Sequence, residues 1–100
     1  MKNLRKICKH LTASELLAQL AEEAGELTQA ALKLRRVLTG VNPTPTPQSK
    51  ALADLEEEIA DVQTCISAVA YSLSLENDTI LEIADLKRVR WANRLEGANE

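Results

Sequence analysis

Residues 12–40 read TASELLAQLAEEAGELTQAALKLRRVLTG, and they decide the fold. Leu16, Leu20, Ala24, Leu27, Ala31, Leu34 and Leu38 recur at steps of four and three. That spacing lays one apolar stripe along a long helix, heptad-like in register. Thr12 and Glu15 stand as a capping box at its start. Gly40 suits its end, where Lys33, Arg35 and Arg36 favour the negative pole of the helix dipole.

All three prolines fall in the next segment, 40–49, within VNPTPTPQ over 41–48. Prolines at alternate positions block helix and favour an extended connector. Ser49 is the expected N-cap of a second helix over 50–75. Its stripe is Leu52, Leu55, Ile59, Val62, Ile66, Val69 and Leu73. Asp54, Glu56 and Glu57 suit its first turns. Asn77-Asp78-Thr79 is expected as a turn and cap before a basic helix over 79–95, with Ile80, Ile83, Ala84 and Trp91 on its apolar side. Gly97 and the polar tail behind it end that helix. Residues 1–11 form a short helix or an arm. No period-two pattern, repeat or second domain appears, so 1–100 is one all-α domain, an antiparallel helical bundle. Stripes this wide on so few helices suggest completion by a second copy.

Composition agrees. Apolar residues reach 45% with only 2% aromatic, which makes the apolar part Leu, Ala, Ile and Val and favours helix over sheet. A net charge of −3 lacks the basic footprint of a nucleic-acid binder. No stretch has the length and apolarity of a membrane span, and the basic N-terminus has no apolar core or cleavage site of a signal peptide. The expected location is the cytoplasm, with Cys8 and Cys65 as unpaired thiols.

Glu23 with Glu26, and Glu58 with Asp61, repeat one three-residue spacing on the two long helices. Residues three apart are surface neighbours on a helix. At about 100° per residue, Glu23 falls roughly 60° from the centre of its apolar stripe and Glu26 about twice as far on the same side. Glu58 falls about 70° off its own stripe, with Asp61 further round. Neither pair has an obvious Lys or Arg one turn away. Helices packed side by side would bring the four carboxylates together, and their repulsion calls for a positive occupant. Hard dications take oxygen ligands, which points to a metal-dependent reaction on a phosphate compound. Solvated acidic faces are also common, and by this geometry Glu22, Glu56 and Glu57 are read that way.

Glu22-Glu23-Ala24-Gly25-Glu26 followed by Glu58-Ile59-Ala60-Asp61 resembles the EExxE…ExxD signature of the MazG-like nucleoside triphosphate pyrophosphohydrolases. The similarity runs over about residues 12–95 and includes the apolar spacing of LAEEAGELTQAALKLRR and LEEEIADVQTCI. The resemblance implies a MazG-like bundle working as a homodimer or homotetramer. It implies cleavage of a nucleoside triphosphate between the α and β phosphates, dependent on Mg²⁺ or on Mn²⁺ in its place. Glu23, Glu26, Glu58 and Asp61 match the metal ligands. Glu22 matches the first motif glutamate, expected behind the ligands or on the attacking water. Thirty-one residues, Leu27 to Glu57, separate the motifs, and only Tyr71 and Trp91 are available to stack on a base.

Lys87, Arg90 and Arg94 follow three-then-four spacing on the last helix. They are candidates for phosphate capture, Lys as a point charge and Arg in bidentate fashion, and the resemblance places basic residues similarly. Lys87 lies near the middle of the apolar side, where a counter-charge or a snorkelling stem is expected. Trp91 is read first as a core or interface residue, with base stacking as its alternative. The rival to a pyrophosphohydrolase is a non-catalytic interaction module with solvated acidic patches. Neither a nucleic-acid polymer nor a membrane is expected as a partner.

Overall fold

The computed structural model describes residues 1–97, and the polar tail lies outside them. Four helices follow in order: α1 Lys2–His10, α2 Ala13–Thr39, α3 Gln48–Leu73 and α4 Asn77–Leu95. No strand occurs among the described residues.

The capping box at Thr12 forms as expected. The Thr12 hydroxyl accepts from the Glu15 backbone at 3.1 Å, and the Glu15 carboxylate accepts from the Thr12 backbone at 2.9 Å. Gly40 ends α2 with φ of 72°, a left-handed conformation that favours glycine, and its amide donates to Arg36.

Two helix starts differ from expectation. Pro47, not Ser49, caps α3, and the amides of Lys50 and Ala51 both donate to the Pro47 carbonyl at 3.1 Å. Proline suits a helix entry because its fixed φ is preset and the first turn needs no amide from it. The second turn falls earlier than Asn77–Thr79. Ser74 takes φ of 54° and ends α3, and α4 begins at Asn77 with the Ile80 amide donating to Glu76. A non-glycine residue in the left-handed region carries no mark in the sequence, whereas Asn-Asp-Thr is equally content in a first helical turn.

α2 and α3 pack along each other as a hairpin. Helices this long extend about 40 Å. The connector of 40–47 spans at most about 28 Å, so side-by-side packing must be antiparallel. Across that contact lie Leu16, Leu34, Ala51 and Val69, all buried, and Leu20, Leu27, Leu55 and Val62, half-buried. α1 folds over the far end, where Leu4, Ile7 and Cys8 pack on Leu16, Ala68 and Val69. The Cys8 thiol donates to the Ala68 carbonyl at 3.6 Å, and both cysteines are free.

The expected stripes divide into two. On α3 the seven-residue series Leu52, Ile59, Ile66 and Leu73 stays 40–47% exposed. On α2 the series Leu17, Ala24, Ala31 and Leu38 is exposed as well. A hairpin gives each helix one partner, and a stripe wide enough for two partners is left half open. α4 has no buried residue, and Trp91 is 60% exposed rather than part of a core.

Candidate metal centre

Midway along the hairpin, α2 and α3 bring three carboxylates together. Glu23, Glu26 and Glu58 each offer an oxygen, and the three oxygens lie within 4.8 Å of one another. The register follows from the antiparallel pairing, because Glu26 and Glu58 stand at nearly equal distances from the connector. Around each helix the glutamate lies about 100° from the exposed apolar series, with the buried stripe between them. The acidic cluster therefore opens on the face of the hairpin away from the exposed apolar series.

Glu23 and Glu58 are half-buried, Glu26 is exposed. Gln19 Nε2 donates to Glu23 Oε1 at 3.0 Å, fixing that carboxylate from one helical turn before it. Glu23 Oε2 and Glu58 Oε2 are both shut from solvent with no hydrogen-bond partner. Buried acceptors almost always have a partner, and these two oxygens on facing helices have none among the described residues. The donor set is all oxygen and all anionic, which fits Mg²⁺ or Mn²⁺.

Burial pushes the Glu58 carboxyl above its ordinary 4.5, and the charges of Glu26, Asp61, Glu23 and Glu57 add to that push. Cys65, one turn beyond Asp61, is raised by burial and then by Glu23 and Asp61. That lowers its thiolate fraction at a given pH.

The expected ligand set is thus brought together in three of its members. Asp61 is half-buried and near enough for its charge to act on Glu58 and Cys65, but it stands outside the three-oxygen group. Glu22 is exposed and also outside the group. Glu57 is exposed, as read, and stands at the edge of a cleft of about 270 Å³ lined also by Glu26, Glu58, Asp54 and Lys33. The placement of Lys33 near the helix dipole alone missed this position. The signal was its spacing of seven from Glu26, two turns along the same side of α2.

Lys87, Arg90, Trp91 and Arg94 do converge, around a shallow depression of about 230 Å³ on α4. None of the acidic cluster lines it. Lys87 is exposed and has no ion pair among the described residues, which agrees with the snorkelling alternative rather than with a counter-charge. Arg88 pairs with Asp85 on the exposed side of α4.

Comparisons with protein-family models, with curated proteins and with solved structures found no match.

Proposed function

We propose that this chain is a metal-dependent nucleotide pyrophosphohydrolase, cleaving a nucleoside triphosphate to the monophosphate and pyrophosphate. The observation that carries this reading is the pair of buried, unpartnered oxygens on Glu23 and Glu58, facing each other across α2 and α3 beside Glu26. The spacing of these residues, which resembles the MazG-like signature, supplies the reaction class. Glu23, Glu26 and Glu58 would hold magnesium, with Asp61 contributing charge from the next turn of α3. Bound magnesium supplies Lewis-acid polarisation of phosphate oxygens and acidifies a coordinated water. Gln19 orients Glu23, so the carboxylate keeps one oxygen directed into the cluster.

The working unit in this proposal is a dimer. A compact chain of 11.0 kDa exposes about 5,600 Å², whereas this one exposes 7757 Å². The radius of gyration is 17.3 Å, against about 13 Å for a compact domain of 100 residues. The surplus surface exceeds the roughly 800 Å² that each partner buries in a stable interface. Two exposed heptad series on one face of the hairpin are what a second hairpin would cover, making four helices from two copies. Because the acidic cluster opens on the other face, such a dimer leaves it accessible. Lys87, Arg90 and Arg94 are proposed to steady the polyphosphate from α4 in that assembly.

The test is to supply each common nucleoside triphosphate with Mg²⁺ and identify the products. Monophosphate and pyrophosphate in equal amounts support the reading. Orthophosphate alone, or no turnover with any base, contradicts it. Glu23→Gln and Asp61→Asn should each lose turnover while the helical circular-dichroism signal is retained.

A further inference from the structure

We infer that Lys33 takes the pyrophosphate end of the substrate from within the same protomer, an assignment that rests on the reading of the acidic cleft given above. Among the described residues, Lys33 is the only cation that lines this cleft. It is half-buried among Glu26, Glu57, Glu58 and Asp54, yet it forms no ion pair among the described residues. Asp54, a carboxylate suited to it, is held instead by Lys50, whose ammonium reaches both Asp54 oxygens at 3.2 Å. Lys33 is therefore a cation kept in an anionic cleft without a partner.

Its position fits a second anchoring point. Lys33 follows Glu26 by two turns, a rise of about 10 Å. Side chains on a helix lean toward its N-terminus, which directs the Lys33 stem back toward Glu26. Substrate oxygens would complete the shell of a dication held by these glutamates, and the next phosphate charge would then lie toward Lys33. An ammonium on a flexible stem is a point-charge binder of phosphate, indifferent to the base. The basic residues of α4 line a different depression, and among the described residues no second cation lines this cleft.

Calorimetric titration of inorganic pyrophosphate in the presence of Mg²⁺ tests this without turnover, with nucleoside monophosphate and Mg²⁺ alone as parallel titrants. Lys33→Gln should weaken pyrophosphate about 10- to 100-fold, and Lys33→Arg should restore most of the loss. Binding of Mg²⁺ alone should persist in both variants, and circular dichroism should show an unchanged fold. In assays of triphosphate hydrolysis the Lys33→Gln loss should fall mainly on KM. Unchanged pyrophosphate affinity in Lys33→Gln, alongside loss of Mg²⁺ binding in Glu58→Gln, overturns the Lys33 assignment and spares the metal centre. A loss confined to the monophosphate overturns it in favour of a nucleoside contact. Failure of the wild-type chain to bind either Mg²⁺ or pyrophosphate removes both.

Discussion

The three glutamates differ in what surrounds them, and the differences have measurable consequences. Glu58 holds its proton above 4.5 in the folded chain because burial and its acidic neighbours oppose its charge. Unfolding relieves both, so the unfolded chain binds fewer protons across the interval from 4.5 up to the raised value. Metal-free stability should then be full below 4.5 and fall as pH rises through that interval. Glu58→Gln, which cannot ionise, should flatten this part of the profile in thermal melts, and Mg²⁺ should reverse the loss in the wild type. Gln19 acts one step further out. Gln19→Ala should weaken Mg²⁺ by about 10-fold in a calorimetric titration, because Glu23 loses the donor that fixes one of its oxygens. At this scale the sequence was legible through spacing, which set Glu23 and Glu58 at the border of their stripes. It was blind to Asp61 falling outside the three-oxygen group, since a turn of helix is a coarser measure than a coordination distance. The Asp54–Lys50 pair that leaves Lys33 available stands at the legible i,i+4 spacing.

Among the elements, α2 was the most legible because its ends carry unambiguous chemistry. Thr12→Ala should cost about 1 kcal/mol in denaturant unfolding, through the lost bond to the Glu15 amide. The capping bonds hold Glu15 below 4.5, so its contribution is present above 4.5 and lost as pH falls through the lowered value. The starts of α3 and α4 were less legible. Ser49 and Thr79 have capping side chains, but cap preference is weaker than the backbone geometry of Pro47 and the left-handed turn at Ser74. Gly25 offers a test of what covers α2. It lies mid-helix and exposed, and a methyl group there would meet nothing within 4 Å in the single chain. Gly25→Ala should therefore stabilise the monomeric unit by about 0.5–1 kcal/mol. A destabilisation that grows with protein concentration would instead place another chain against Gly25.

For the whole molecule, the apolar pattern was legible as periodicity but not as a division of labour. A stripe at steps of four and three says how much of a helix avoids water. It does not say whether one neighbour or two cover it. Leu55, Val62 and Val69 face the hairpin contact, while Leu52, Ile59, Ile66 and Leu73 remain open along the same helix. Analytical ultracentrifugation should find a dimer, and Ile59→Glu with Ile66→Glu should shift it toward monomer by placing charges in the open series. Dimer or monomer, the chain stands or falls as an enzyme on its acidic cluster. The most direct measurement is a calorimetric titration of Mg²⁺ into metal-free wild type and Glu58→Gln. Saturable binding in the wild type that disappears in a folded Glu58→Gln variant is the expected result. No binding to the wild type, or equal binding to both, would contradict the account.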